Sequence, residues 1–426
     1  MIKLVILILF YILFPIVLIR LTAKYSMLKK IGAIVIAYMI GILIGNVGIL
    51  PKGSDGFHQA LNGRSYIPKS ELVELSANGT LTEKDLYANK IAALQDAVLT
   101  IIIPLSIPLL LFSLNIRRWL KFAGKGFLSM VLAVISVMVI VASGFYFFRN
   151  SVPECNKIAG MLIGVYTGGT PNMAALSVAL HVNPAAFIMT NTYDMIVGAL
   201  TLIFFITVGP RLFRYILPSY YVHNDKITDD YAEEGLEAAE EFDDYSGMLK
   251  RGIALPLLGA LGISVLIFAI GGGVSFLLPG VPKMVSVILT ITTLGIAASF
   301  IPRVNKIKKT FQLGMYLIIT FSLVVSSMAD LSVIFQVKYL NLLLYVTYAY
   351  FGSLALHLIL SWIFRVDADD YLITTTGFVY SPPFVPVVAA ALKNKDVILT
   401  GLATGIIGYV IGNYLGVAFG MWLGYL

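Results

Sequence analysis

Long apolar runs separated by short polar stretches dominate the chain. A helix that spans a bilayer needs about 20 apolar residues, and twelve segments meet or approach that length. They are 3–22, 31–50, 91–114, 126–148, 158–182, 185–208, 252–278, 283–302, 311–336, 339–364, 371–392 and 396–424. The pattern predicts an all-α polytopic membrane protein with about 10–12 transmembrane segments. The first run lacks a signal-peptide cleavage pattern, so we expect it to be a retained helix.

One apolar segment, 158–182, is interrupted in its middle by Thr167-Gly168-Gly169-Thr170-Pro171-Asn172. Adjacent glycines loosen a helix and proline removes a hydrogen-bond donor, so this stretch cannot be ordinary helix. Within a membrane, such a break is tolerated only where protein surrounds it or where it lines a cavity. It also leaves backbone amides free at the start of a second half-helix, where a partial positive charge favours an anion or a polar group.

A second interruption lies at the corresponding place in the other half of the chain. Segment 371–392 contains Thr374-Thr375-Thr376-Gly377 and then Ser381-Pro382-Pro383. Pro171 aligns with Pro383, and Gly198 in the following helix aligns with Gly408. A pair of interrupted segments at matching positions is typical of inverted-repeat transporters. We therefore predict two membrane repeats, 1–208 and 252–426.

The two repeats are joined by a polar insert, 209–251, that carries a strongly acidic run from Asp225 to Asp244. Such a run usually forms a solvated linker, and we expect this one to be cytoplasmic. The strongest basic loops are 20–30, 115–125 and 303–309, and all three should also be cytoplasmic. If all twelve segments cross the membrane, the third basic loop lies on the side opposite the other two. If both interrupted segments fold back to the side from which they entered, all three basic loops lie on one side and the two halves are inverted.

Loop charge therefore favours ten crossings with two re-entrant segments. A variant in which the breaks belong to crossing, unwound helices stays open.

Composition narrows the function classes. Of 426 residues, 58% are hydrophobic and 12% charged, whereas soluble domains carry about 25% charged residues. The net charge of +7 comes from short clusters between apolar segments, which argues against nucleic-acid binding. The single cysteine, Cys155, excludes an intrachain disulfide. No nucleophile–base pair, HExxH or Walker loop is visible, so we expect no enzyme activity and no cofactor besides a coupling ion.

Asp194 is the most informative single residue. It lies about ten residues into segment 185–208, where a carboxylate costs about 2.5–3.5 kcal/mol on insertion scales. Asn191 and Thr190 precede it by one helical turn, and with Asn172 they offer oxygen ligands that suit a hard cation. The prediction is a Na⁺ or H⁺ coupling site. The alternative is a structural hydrogen bond or salt bridge between helices. In the second half Thr404 stands where Asp194 stands in the first.

Other polar groups complete the candidate set. We expect a solute to contact both breaks, through Thr167, Gly168, Gly169, Thr170, Asn172, Thr375, Thr376, Gly377 and Ser381. His357 either relays protons or is a core histidine bonded to a backbone carbonyl. Asp96 and Asp330 lie near segment ends, where solvation is easy. Asn413 is expected to pair between helices.

Two resemblances follow from these motifs. The run from Thr167 to Asp194 resembles the broken-helix region of bile acid:sodium symporters, although Thr170-Pro171-Asn172 replaces the expected polar Asn-x-Ser-Asn run. Nearly the whole chain resembles a bacterial membrane family known only as domain of unknown function 819. The similarity includes the Gly-Gly break and the Gly408-to-Gly416 pattern. The wider relatives, cation–proton antiporters and anion symporters, imply a moving core with two broken helices that cross the membrane, and Na⁺ near Asn172, Thr190 and Asp194. The resemblance to the bacterial family implies an inner-membrane location.

The leading hypothesis is a secondary transporter for a small, anionic organic solute, coupled to Na⁺ or H⁺ and able to form a homodimer. A cation/proton antiporter is the close alternative. A non-transporting receptor or envelope-complex component is the alternative from another class. It would use loops 51–90 and 209–251 for its contacts.

Overall fold

The computed structural model describes residues 2–25, 28, 31–61, 64–113, 126–218, 244–328 and 338–426. These ranges contain helices and connecting turns and no strand. Basic loop 115–125, most of the acidic linker and Asp330 lie outside them. The prediction of an all-α polytopic membrane protein is confirmed.

The helices of the first half follow the predicted segments closely. They are α1 (Ile2–Lys24), α2 (Ala33–Asn46), α3 (Asp55–Leu61), α4 (Lys69–Ala77), α5 (Glu83–Phe112), α6 (Phe127–Phe148), α7 (Cys155–Ala179), α8 (Pro184–Thr207) and α9 (Gly209–Ile216). Helices α3 and α4 belong to a small polar cap. In this cap, Asp85 accepts hydrogen bonds from the backbone of Thr82 and Ser54, so the start of α5 is closed by a capping box.

The second half repeats the same order of long helices. It contains α10 (Arg251–Leu277), α11 (Lys283–Ser299), α12 (Pro302–Asn305), α13 (Thr310–Ser327), α14 (Lys338–Ile363), α15 (Ala368–Tyr380), a 3₁₀ turn (Pro382–Phe384), α16 (Val385–Leu392) and α17 (Ile398–Gly424). Among the described residues, eight helices are long and apolar enough to span a bilayer: α1, α5, α6, α8, α10, α13, α14 and α17. Helices α2 and α11 are shorter and apolar.

Helix α7 folds back on itself at the predicted break. Gly168 and Gly169 leave helical geometry, and Gly169 adopts φ 70°. The Lys157 ammonium donates to the carbonyl of His181 at 2.9 Å. A straight helix of this length would hold its ends about 37 Å apart at 1.5 Å per residue. Residues 155–182 therefore form a re-entrant hairpin, called hairpin 1 below.

The second interrupted segment folds back in the same way. The side-chain amide of Asn394 donates to the Asp369 carboxylate at 2.9 Å, so the end of α16 meets the start of α15. The turn lies at Ser381, which adopts φ 73°. Residues 368–392 form hairpin 2. The re-entrant arrangement favoured by loop charge is therefore confirmed, and the crossing breaks implied by the symporter resemblance are wrong for this chain.

Helix α17 shows that the hairpins enter from opposite ends of the molecule. Asn156, at the base of hairpin 1, donates to the carbonyl of Gly420 near the end of α17 at 3.2 Å. Ile373 and Val385, one from each arm of hairpin 2, both pack on Gly401 near the start of α17. Because α17 is one continuous helix, the two bases lie at its opposite ends.

Basic loop 303–309 and the residues that flank basic loop 115–125 lie at the end of the molecule where hairpin 2 begins. Asn305, within basic loop 303–309, donates to the carbonyl of Phe112 at 3.0 Å, which places the end of α5 beside that loop. After the undescribed stretch, the chain resumes at Gly126, which packs against Thr400 at the start of α17. By the positive-inside rule we expect this end, called the basic end below, to be the cytoplasmic one.

Equivalent helices of the two halves pack against each other. Helix α5 pairs with α13, where the Gln95 side chain donates to Ser327 at 3.0 Å, and α6 pairs with α14. The packing is also reciprocal between the halves: α2 of the first half packs on α13 of the second, and α11 of the second half packs on α5 of the first. This reciprocity accords with two repeats, although the boundaries 1–208, 209–251 and 252–426 stay a prediction.

Close packing of the hairpins on α17 depends on glycine. A Cβ on Gly408 would overlap the carbonyl of Thr167, the residue just before the break in hairpin 1. We expect Gly408→Ala to lower the free energy of unfolding by about 1–3 kcal/mol, because backbone must move to admit the methyl group. Gly259→Ala on α10 is the matched control, since a Cβ there meets nothing within 4 Å. Unfolding in mixed detergent micelles measures both, and equal effects would contradict the packing.

The re-entrant topology predicts which positions share a side of the membrane. In a Cys155→Ser background, single cysteines replacing the exposed residues Asn150 and His181 should react with an impermeant thiol reagent from one side. Cysteines replacing the exposed residues Arg365 and Lys395 should react from the other side. Labelling in sealed vesicles of known orientation measures this. Two crossing segments would instead divide each pair between the two sides.

Candidate functional site

The tips of the two hairpins meet near the middle of α17. Gly169 in tip 1 lies against Ser381 in tip 2, and a Cβ on Gly169 would overlap the Ser381 hydroxyl. The positive φ of Gly169 also favours glycine there. Pro382 packs on Gly405 of α17, three residues from the Gly408 contact with tip 1. The two breaks predicted from sequence are therefore brought together into one place.

Most of the predicted solute-binding residues are buried at this junction. The buried ones are Thr167, Gly168, Gly169, Asn172, Thr375, Thr376 and Gly377, whereas Thr170 and Ser381 are partly exposed. Thr167 and Thr376 each donate to a carbonyl of their own helix at 2.7 Å. Thr170 and Ser381 are thus the members of the set best placed to contact a solute. The binding role of the whole set stays a prediction.

The two tips differ in the backbone donors that they offer. In hairpin 2 the second half begins with Pro382 and Pro383, which have no N–H, and the amide of Phe384 already donates to the carbonyl of Ser381. The second half of hairpin 1 begins around Thr170, with Pro171 as its only early residue lacking an amide proton. Any anion held by half-helix amides is therefore expected to lie nearer tip 1.

Asp194 faces a group of three tyrosines. Its carboxyl interacts electrostatically with the hydroxyls of Tyr166 in hairpin 1, Tyr350 in α14 and Tyr380 in hairpin 2. The hydroxyls of Tyr350 and Tyr380 are 2.5 Å apart, and Tyr380 donates to the carbonyl of Gly198 at 2.9 Å. The buried Tyr166 hydroxyl makes no hydrogen bond of ordinary geometry within the described part of the chain, and Asp194, Tyr345 and Tyr380 act on it electrostatically.

The sequence analysis missed these tyrosines. A signal was present, because Tyr166 lies two residues before the Gly168-Gly169 break and Tyr380 directly precedes the break at Ser381. Tyrosine thus recurs at the end of the first arm of each hairpin. Tyr350 has no such signal, since its hydroxyl reaches the site only through the packing of α14.

The remaining members of the predicted ion site have separate partners. Asn172 donates to the carbonyl of Gly408 at 3.0 Å, and Thr190 donates to the carbonyl of Ala186 at 2.7 Å. The Asn191 amide nitrogen contacts the sulfur of Met195, while its Oδ1 is buried without a partner among the described residues. Among the described residues, no group of three or more His, Cys, Asp or Glu side chains is arranged to hold a metal ion. A Na⁺ site at Asn172, Thr190, Asn191 and Asp194 stays a prediction.

His357 lies deep in the protein beside a small cavity. Its ring nitrogens are each 3.3 Å from a hydroxyl, Nε2 from Ser129 on α6 and Nδ1 from Thr375 in hairpin 2. The cavity has a volume of about 20 Å³, and Tyr166 and Tyr350 also line it. A space of this size holds about one water molecule. The backbone of Ser129 is a further hydrogen-bond partner of the ring, which accords with the structural alternative of a core histidine.

Each hairpin is closed at its base by a carboxylate. In hairpin 1, Glu154 accepts from Lys157 at 2.5 Å and from the backbone amide of Asn183 at 2.8 Å. In hairpin 2, the buried Asp369 accepts two hydrogen bonds from Arg214 of α9, at 2.9 and 2.8 Å. Arg214 also donates to the carbonyl of Leu392 at 2.8 Å, so one guanidinium joins both arms.

The comparisons with known proteins agree with a membrane protein. Residues 73–426 match the model of a family described as a protein of unknown function, DUF819. The chain is also similar to the uncharacterized membrane protein YjcL of Bacillus subtilis (strain 168), with 26% identity over 334 residues, which cover 77% of this chain and 83% of that protein. The predicted family resemblance is confirmed. The relation to bile acid:sodium symporters stays a prediction.

The ion pair between Arg214 and Asp369 at the base of hairpin 2 can be tested separately. Asp369 is 1% exposed, so Arg214→Gln leaves a buried carboxylate with fewer donors. We expect the free energy of unfolding to fall by about 1–3 kcal/mol, since Asn394 still donates to it. Arg211→Gln, an exposed position on the same helix, is the control. Chemical unfolding in micelles measures the stability of both variants. An equal loss of stability in the control would argue against a stabilising role of the Arg214–Asp369 ion pair.

Proposed function

The chain belongs to the DUF819 family, and on that premise we propose that it is a secondary active transporter and not an enzyme. It moves a small, anionic organic solute by alternating access, coupled to Na⁺ or H⁺, in a bacterial inner membrane. The observation that carries this proposal is the meeting of two re-entrant tips, entered from opposite ends, beside the carboxyl of Asp194.

This geometry supports alternating access. Each hairpin separates the tip junction from one end of the molecule, because its two arms and its base occupy the space on that side. Withdrawal of hairpin 1 opens the junction to the end opposite the basic loops, and withdrawal of hairpin 2 opens it to the basic end. Irregular backbone at membrane depth is tolerated only where it is packed in protein or lines such a cavity.

The solute and the ion have distinct places in this scheme. The partly exposed Thr170 and Ser381 contact the solute, and half-helix amides at tip 1 hold its negative group. Asp194 carries the coupling ion and interacts electrostatically with both hairpins, through Tyr166 in hairpin 1 and Tyr380 in hairpin 2. Loading of Asp194 therefore alters the polar contacts of both gates at once. A homodimer remains part of the proposal.

One observation favours a second candidate, a cation/proton antiporter. Within the described part of the chain, Asp194 is the carboxylate that acts electrostatically on Tyr166, Tyr350 and Tyr380. A single acid can bind a cation and a proton in turn, and no organic solute is then required. The two candidates differ in whether any solute accumulates.

Proteoliposomes test the proposal. Candidate organic anions are first screened for ligands that raise the melting temperature, and radiolabelled hits are then offered under an imposed Na⁺ or pH gradient. Asp194→Asn should reduce gradient-driven accumulation by about 5- to 150-fold, the range of ordinary coupling free energies. Solute exchange without a gradient should persist, because the binding residues remain. Asp96→Asn on α5 is the matched control and should accumulate solute like the wild type.

The outcomes separate the candidates. Equal gradient-driven accumulation of the solute by wild type and Asp194→Asn would rule out a coupling role for Asp194. Cation-dependent proton movement without any solute flux would favour the antiporter. Neither kind of flux in the wild-type protein would favour a receptor or an envelope-complex component.

A further inference from the structure

We propose that helix α9, Gly209–Ile216, lies in the membrane interface at the basic end, binds anionic lipid headgroups there, and thereby stabilises the base of hairpin 2. The partner is a bilayer surface, which α9 recognises through an exposed apolar flank and an exposed arginine. The lipid contact goes beyond the proposed function and does not depend on it, whereas any effect of the lipid on gating rests on that function.

Helix α9 begins where the chain turns away from the spanning helix α8. Helix α8 ends at Thr207, and Pro210 lies in the first turn of α9, where its missing N–H costs no helical hydrogen bond. Helix α8 has an exposed apolar face, made by Ile196, Leu200 and Ile203. Since α8 is long and apolar enough to span a bilayer, this face contacts lipid tails. Helix α9 therefore starts at the edge of a surface that already contacts lipid.

The side chains of α9 are sorted around its axis. The face that packs on the protein consists of Gly209, Pro210 and Phe213. Beside that face, Leu212 and Ile216 lie one helical turn apart and are 40% and 39% exposed, and Tyr215 is 90% exposed. A short helix with an exposed apolar flank suits the boundary between headgroups and acyl chains, where tyrosine is also enriched. The flank therefore fits a bilayer surface.

The side of α9 away from this flank is basic. It carries Arg211 and Arg214, which lie three residues apart and so share one side of the helix. Arg214 pairs with Asp369, which places α9 at the basic end, whereas Arg211 is exposed. Anionic lipids attract basic residues that lie next to a spanning helix on the cytoplasmic side. A free anion would need Arg211 alone, so the apolar flank selects a lipid surface as the partner.

Helix α9 and the residues after it hold the base of hairpin 2 in three ways. The ring of Phe213 lies with its centroid 4.9 Å from that of Tyr371 in the first arm. The carbonyl of Pro218 accepts from the amide of Ala368, where that arm begins, at 3.1 Å. Arg214 bonds to both arms, as described above. A lipid contact that fixes α9 therefore also holds the two arms together, and in the proposed transporter it favours the closed state of the gate at the basic end.

Hydrogen–deuterium exchange in nanodiscs tests the lipid contact without a transported solute. The protein is reconstituted at low salt in phosphatidylcholine alone, or in equal parts of phosphatidylcholine and phosphatidylglycerol. We expect phosphatidylglycerol to slow exchange in peptides that cover 211–217 and 368–372 by about 5-fold, the effect of one arginine near an anionic surface. High salt should remove this slowing, because it screens exposed charges.

Matched variants show whether Arg211 carries the effect. Arg211→Gln should lose the slowing by phosphatidylglycerol, and Arg211→Lys, which keeps the charge, should retain it. Arg303→Gln removes one exposed arginine at the same end but away from α9, so it is the control and should behave like the wild type.

A spin label tests the position of the apolar flank. In a Cys155→Ser background, a label on Tyr215→Cys should be accessible to oxygen and shielded from a polar nickel complex. A label on Lys395→Cys, an exposed position at the same end, is the reference and should be open to the nickel complex. Equal nickel accessibility at both positions would place α9 in water and overturn the interfacial position.

Three further results would overturn the lipid contact. They are an equal effect of phosphatidylglycerol in wild type and Arg211→Gln, the same slowing by inorganic phosphate in phosphatidylcholine nanodiscs, and slowing confined to nanodiscs that hold two copies of the chain. The second result would indicate a free anion, and the third would indicate self-association. None of these measurements uses solute flux, so the lipid contact and the proposed function fail separately.

Discussion

The contact between the two hairpin tips and helix α17 is the constraint on which the rest of the structure depends. Gly169 meets Ser381, and Gly408 meets the backbone of Thr167, with no space for a side chain at either glycine. Broken backbone in a bilayer has no water to satisfy it. The breaks therefore persist only because each packs on the other and on the same helix.

The two hairpins have the same architecture, but the helices that follow them carry different polar groups. Each is closed at its base by a carboxylate, Glu154 in hairpin 1 and Asp369 in hairpin 2. Hairpin 1 precedes the helix that carries Asp194, whereas the corresponding position after hairpin 2 is Thr404, which donates to a carbonyl of its own helix at 2.8 Å. One half of the molecule thus supplies the carboxylate, and both halves supply a hairpin. In the proposed transporter this asymmetry gives a symmetric scaffold a direction for coupling.

Polar groups from four helices converge on one small region of a largely apolar protein. The carboxyl of Asp194 acts on the tyrosine hydroxyls around it, and the imidazole of His357 lines the same cavity as Tyr166 and Tyr350. Isolated polar groups are costly at this depth. Their grouping lowers that cost where a pair forms, as between the hydroxyls of Tyr350 and Tyr380. It also places the proposed ion step between the two hairpins, where a change of protonation reaches both.

The sequence by itself determined the helical class, the two breaks and the candidate acid Asp194, and its loop charge favoured the return of both interrupted segments without settling it. These follow from apolar run length, from Gly and Pro, and from the positions of Lys and Arg, all of which act locally. Only the tertiary structure decided that the tips meet, that Tyr350 reaches Asp194 and that Asn172 bonds to Gly408. Those contacts join residues far apart in the chain, and they depend on helix packing that no local pattern encodes.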